Sequence, residues 1–188
     1  MRNVASRKIW EGEQPNQFRG LDTENAIDLL LALNIVKSLS DLSPLKSVGL
    51  HKLKGDRKGQ WAMTVMLAGA SASSSGKAML SMLKSPTIIR GKPMQPVVHP
   101  GRLLRREMIS RNLSANRLAL DLGVPSGRIT DIINSRRSIT ADTAVRLGRY
   151  FGNAAQFWLD LQSQYDIGMV ERERGKEIVE RVRPAEVA

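Results

Sequence analysis

Cysteine is absent from the 188 residues. That excludes disulfides, thiolate metal sites and cysteine nucleophiles. Histidine is almost absent too. His51 and His99 are the only two and lie far apart in the chain. A histidine-rich metal centre is therefore excluded, and no metal or other cofactor is expected. Aromatic residues make up only 4%. No apolar run approaches the roughly 20 residues that a membrane span needs. The best candidate, Ala26 to Val36, is shorter and carries Asp28. The basic N-terminal residues are not followed by an apolar region, so no secretion signal is expected. These absences lead to the expectation of a soluble cytoplasmic protein with no membrane partner.

What is present is positive charge. Lysine and arginine number 29 against 18 acids, a net of +11. A hydrophobic content of 41% is enough for a modest core and too high for a wholly disordered chain. Such an excess suggests a polyanionic partner, most often nucleic acid, the plainer alternative being charge for solubility.

The charge and composition divide the chain into three parts. Residues 1–65 mix charges with an apolar, helix-like stretch. Residues 66–93 contain Lys77, Lys84, Arg90 and Lys92 but no acid. Rich in serine, alanine and glycine, with Pro86 and Pro93, they read as a linker. Residues 94–188 regain helical periodicity and hold 15 basic against 11 acidic residues. Within them, residues 101–152 carry ten basic residues and four acids, so the basic excess is local.

That block reads as a series of short helices. Leu103, Leu104, Met108 and Ile109 give one apolar face behind Pro100. Ser114 is a good N-cap for a helix from Ala115 to Leu122, and Gly123 is placed to end it. Ser126 is a second N-cap candidate, for a helix burying Ile129, Ile132 and Ile133. A short helix, a glycine turn and a second short helix form a helix-turn-helix signature. Early residues of the second helix then face base edges in the major groove. The exposed set is Gly127, Arg128, Thr130, Asp131 and Asn134, followed by Arg136 and Arg137. Arg128 suits a bidentate pair with guanine, and Asn134 suits adenine. Ser114, Asn116, Arg136 and Arg137 suit phosphate contacts. The plainer alternative is a small bundle with a solvated basic face.

Thr140 caps a fourth helix, Ala141 to Phe151, and a fifth begins near Ala154. On the fifth, Phe157, Trp158, Leu161 and Tyr165 form a wide apolar face. Part of it is expected at a homodimer interface, because helix-turn-helix proteins usually read two half-sites; an intramolecular core is the alternative. The tail from Val170 reads as a solvated helix or frayed end.

Several strings in this half resemble the HigA antitoxin family: His99-Pro-Gly-Arg-Leu-Leu, Leu113-Ser-Ala-Asn, Leu122-Gly-Val-Pro, Arg128-Ile-Thr-Asp-Ile-Ile-Asn, Ile139-Thr-Ala-Asp-Thr-Ala-Val-Arg-Leu and Phe151-Gly-Asn-Ala-Ala-Gln-Phe-Trp-Leu-Asp-Leu-Gln. The resemblance covers residues 94 to about 167. It implies a lambda-repressor-like five-helix domain, an ancestral start at Met94, and a bacterial dimeric repressor, nucleoid-associated when bound to DNA. Such a protein binds its own operator DNA and a HigB-type toxin.

Residues 2–65 resemble the HigB toxins of the RelE-like superfamily. The matching strings are Ile9-Trp-Glu-Gly-Glu, Asp28-Leu-Leu-Leu-Ala-Leu and, most specifically, Leu50-His-Lys-Leu-Lys-Gly-Asp-Arg-Lys-Gly-Gln-Trp61. Those toxins are small α+β ribonucleases. His51 and Lys54 align with residues implicated in RNA cleavage or binding. From Met66 the family's closing strands, and the arginine and Asp-Tyr-His of its site, do not appear. Read one base earlier, with permitted codons, residues 66–89 can spell that missing ending in order and length. A one-base slip fusing a toxin gene to a downstream antitoxin gene is the resulting expectation, and the coding DNA tests it.

The first part is thus expected to be a truncated α+β remnant with an open sheet edge and a poor core, helical mainly over residues 26–38. His51 and Lys54 are expected to be vestigial, and the chain not to be an enzyme. The expected function is a sequence-specific antitoxin and transcriptional repressor. The rival reading is a residual messenger-RNA endonuclease working through His51 and Lys54.

Overall fold

A computed structural model describes residues 22–36, 39–52, 54–55, 58, 61–66, 77–82 and 97–185. The expectations for Ile9 to Glu13 and for Met94 lie outside the described residues. So does most of the 66–93 segment.

Helix α1 spans Thr23–Ile35. Asp22 starts it, its carboxylate accepting a hydrogen bond from the Asn25 backbone N–H at 2.9 Å. The β-branched pair Ile35 and Val36 closes it, with Val36 extended. Relative to the expected 26–38, the helix begins earlier because the Asp22 cap lies one turn ahead of the apolar run. Losing that cap, as in Asp22→Ala, is expected to cost about 1 kcal/mol, measured by chemical denaturation.

Two short 3-10 turns follow, at Leu39–Asp41 and Lys46–Val48. Then comes a three-stranded antiparallel sheet, made of β1 (His51–Lys52), β2 (Trp61–Met66) and β3 (Lys77–Met82). Trp61 pairs with Lys52 on one side and Met82 on the other. The linker expected over residues 66–93 is therefore interrupted by a strand. Residues 77–82 contain no glycine or proline and a single charge, so their backbone can complete the open edge of β2.

Among the described residues, the C-terminal half holds five helices: α2 (Gly101–Ser110), α3 (Ala115–Leu122), α4 (Ser126–Ile133), α5 (Ala141–Phe151) and α6 (Ala155–Arg181). Ser114 and Thr140 cap α3 and α5 as expected, each accepting from a backbone N–H three residues on. Ser126 does not cap α4. Pro125 takes that position, its ring already setting φ at −59°, and Ser126 becomes the first helical residue. Gly123 is left-handed at φ +65° and turns α3 into α4. Gly101 allows α2 and α4 to touch: a Cβ there would sit 1.9 Å from the Ile132 carbonyl oxygen.

Of the two expectations for the charged tail, the solvated helix is the one seen as far as Arg181. α6 runs unbroken for 27 residues, with Glu177 paired to both Arg174 and Arg181 on its outer length.

One apolar core runs through both halves of the sequence. Ala26, Leu29 and Ala32 of α1, with Leu42, Leu45 and Val48, join Leu104, Leu118, Ile129, Ile132, Leu147 and Trp158. The poor N-terminal core expected from the missing strands is corrected for residues 22–48. Their apolar side chains lie against the helical domain, which supplies their burial.

Candidate DNA-reading surface

The site is α3, the Gly123 turn, α4 and the segment just after it. Leu118, Ala119 and Leu122 of α3 and Ile129 and Ile132 of α4 are buried. This fixes the two helices against each other and turns the remaining face outward. Ser126, Gly127, Thr130, Asn134, Arg136 and Arg137 are exposed, as are Ser114 and Asn116 on α3. Arg128 and Asp131 are half-buried. Of the set expected from sequence to face DNA, all but Arg128 and Asp131 are thus exposed. Ser135, left-handed at φ +58°, turns the chain out of α4, and the Arg136 N–H bonds back to the Asp131 carbonyl at 2.8 Å.

The two residues best suited to base edges are held by neighbours. Arg128 Nη1 donates to Asp142 Oδ2 at 2.7 Å. Asp142 also accepts from Arg146 Nε at 3.0 Å. The hydrogen bonds from Arg146 and Arg128 keep the Asp142 carboxyl below the usual carboxylate range. Arg105 Nη2 donates to Asn134 Oδ1 at 2.6 Å. Both side chains are thereby held in place. Arg146 further ties α5 to the turn, its Nη1 donating to the Leu122 carbonyl at 2.8 Å.

Arg105 was not singled out from sequence. It belongs to α2, whose visible signal was its apolar face. The one available clue was its position off that face, opposite Leu103, Leu104 and Met108.

The basic block is also less uniform than its composition. Arg102 and Arg106 pair with acids of α1, and Arg111 pairs with Glu107 and donates to the Pro44 carbonyl. Those three charges are turned toward residues 22–48. Arg105, Arg117, Arg136, Arg137, Arg146 and Arg149 sit elsewhere.

The expected dimer residues are placed differently. Phe157, Trp158 and Leu161 are at most 3% exposed within a single chain. They have no surface left to offer a partner, so their assignment to an interface is corrected to intramolecular core. In a domain this small a long helix must bury its large side chains against its own neighbours. Tyr165 is half-buried, its ring meeting the His99 ring edge-on at 4.8 Å. Burial lowers the pKa of His99 below the ordinary histidine value, and its Nδ1 accepts from the Gly101 N–H at 3.0 Å.

His51 and Lys54 are exposed and belong to the sheet region rather than the helix-turn-helix. His51 Nδ1 lies 3.0 Å from the Gly49 carbonyl oxygen. Among the described residues no group of three or more histidine, aspartate or glutamate side chains could hold a metal ion. No helix among them is long and apolar enough to cross a membrane.

The helix-turn-helix family model matches residues 104–158. Over 89 residues the chain is 47% identical to virulence-associated protein I of Dichelobacter nodosus, covering 47% of this chain and 82% of that protein. Virulence-associated protein A' of the same organism is 33% identical over 86 residues, covering 45% and 71% respectively. Among solved structures, an addiction module antidote protein of a HigA family from Coxiella burnetii is 46% identical. The match covers 48% of this chain and 100% of that one, with a TM-score of 0.47. The Pseudomonas aeruginosa antitoxin HigA with the higBA promoter is 39% identical, with coverage of 48% and 100% and a TM-score of 0.47. Through the α2–α6 half of its sequence, the chain belongs to the helix-turn-helix family.

Proposed function

We propose that this protein is a sequence-specific DNA-binding antitoxin that represses its own promoter and binds a HigB-type toxin. The observation that carries the reading is the outward face of α4. Thr130 is exposed on it, the half-buried Arg128 lies at its edge, and the exposed Asn134 follows at the helix C-cap, with Arg136 and Arg137 alongside for phosphates. The resemblance of residues 94 to about 167 to the HigA family supports the antitoxin part. The toxin-like remnant and the vestigial status of His51 and Lys54 belong to the same proposal.

Reading two half-sites calls for a homodimer. Its contact would use surface other than Phe157, Trp158 and Leu161. The exposed Ile167, Val170, Val179 and Val182 at and beyond the outer length of α6 are apolar surface of the right kind.

A gel-shift on upstream DNA at stated salt tests the reading. Arg128→Ala is expected to lower discrimination between operator and random DNA by about 1–3 kcal/mol. Equal binding of both DNAs, before and after the change, would remove Arg128 from the reading role.

A further inference from the structure

One candidate base-reading side chain is held by a residue outside the helix-turn-helix. Gly101 lets α2 approach α4 so closely that a Cβ there would sit 1.9 Å from the Ile132 carbonyl oxygen. Arg105 is one turn further along α2, on the same side of that helix as Gly101. Asn134, two residues past Ile132, is the C-cap of α4. The close approach therefore brings the two together, and Arg105 Nη2 donates to Asn134 Oδ1 at 2.6 Å. Both residues are exposed. The backbone of Asn134 is fixed separately. Its N–H donates to the Thr130 carbonyl at 3.2 Å, and left-handed Ser135 follows at φ +58°.

This contact determines which way the amide faces. A guanidinium carries only donors, so the atom turned toward it must be the carbonyl oxygen and not the NH2 group. The bond is short and charge-assisted, the stronger class of hydrogen bond. Pairing with adenine needs both halves of an asparagine amide: Oδ1 accepts from the N6 amino group, and Nδ2 donates to N7. Here Oδ1 already serves a cation. Its second lone pair could take an adenine amino group only by bringing that group's partial positive charge beside the guanidinium. What the pair presents is donors alone, Asn134 Nδ2 and the N–H groups of Arg105 outside the contact. Guanine is the base whose major-groove edge is acceptors alone, at N7 and O6. Arg128 provides the contrast. Asp142 holds it through Nη1. Any nitrogen an arginine has left is still a donor, so its preference for guanine is unchanged in kind.

We propose that Arg105 is a positioning residue that sets base preference: by holding Asn134 Oδ1 it makes Asn134 a reader of guanine instead of adenine. The proposal rests on the DNA-reading role given to α4 above and names the base which that role selects at one position. Adenine is disfavoured there because its amino group meets a donor surface.

The test is a gel-shift of the full chain on upstream DNA at fixed salt, with each base pair replaced in turn by the other three. Asn134→Ala marks the position concerned, as the one whose base ranking goes flat. At that position the wild type is expected to favour guanine over adenine about tenfold. Arg105→Leu, which cannot donate, is expected to abolish or reverse that preference, and Arg105→Lys, which can, to keep it. At positions flattened by Arg128→Ala, the ranking in Arg105→Leu is expected to match the wild type, which also reports that the helix-turn-helix is folded. Adenine favoured by the wild type at the Asn134 position overturns the proposal. So does an Arg105→Leu variant that binds all sequences more weakly with every ranking kept, since Arg105 would then serve only a phosphate. An Asn134→Ala change that flattens no position, in a protein that still discriminates, overturns it as well. Equal binding of upstream and random DNA by the wild type is the separate result that sinks the DNA-reading proposal, and this one with it.

Discussion

Trp158→Ala is expected to destabilise the protein by about 3–5 kcal/mol. The indole is completely buried. It lies between Phe151 and Phe157, with ring centroids 5.9 and 5.3 Å away. Its Nε1 donates to Asn153 Oδ1 at 3.0 Å. Truncation removes that donor as well as the ring. Asn153 Nδ2 already has no partner, so the amide would be left wholly unsatisfied in a buried setting. The α5–α6 junction cannot collapse to fill the space, because Gly148 packs directly against the chain there: a Cβ on it would meet the Asn153 carbonyl oxygen at 2.7 Å. Urea denaturation with a linear-extrapolation fit measures the loss. A change under about 1 kcal/mol would mean that the ring is not core, and would reopen the interface assignment for this helix.

Glu107→Ala is expected to cost a similar amount, about 3–5 kcal/mol. Here the loss is electrostatic rather than a matter of volume. The buried carboxylate neutralises Arg111 and accepts two backbone N–H groups from a segment 60 residues earlier in sequence. Without it, those N–H groups lose their partner in a part-buried setting, and the Arg111 guanidinium keeps only the Pro44 carbonyl as acceptor. Each orphaned donor is worth about 1–3 kcal/mol. Hydrogen exchange separates this from a general loss of packing. The amides of Lys46 and Ser47 are expected to lose protection first, while those of α4 keep theirs. Uniform loss across α4 as well would mean that Glu107 supports the helical domain itself rather than its junction with residues 22–48.

The two changes mark the two sides of what could be read in advance. The helix-turn-helix was legible because its cues are local. Ser114 and Thr140 act within one turn of their own backbone, and Gly123 answers a conformational need at one residue. The apolar positions of α3 and α4 repeat at helical spacing, so Gly127 and Thr130 are exposed on α4 as expected, whereas Arg128 and Asp131 are half-buried. Ser126 failed as a cap because the neighbouring Pro125, with its restricted φ, took that position. The interface assignment of Phe157, Trp158 and Leu161 failed for a different reason. An apolar face on a helix shows that something covers it, but not whether the cover is intramolecular.

What the sequence determined by itself was the set of helices in residues 97–185, the Ser114 and Thr140 caps and the Gly123 turn. Each depends on interactions within about a turn of chain. Only the tertiary structure decided which charges meet. Asp28 finds Arg106 across 78 residues, and Glu107 finds Lys46 and Ser47 across 61 and 60. The strand at Lys77–Met82 likewise appears only through pairing with β2. Ion pairs and strand ladders between distant segments leave no period in the sequence. They form because burial removes water as the competing partner, and burial exists only once the chain has folded.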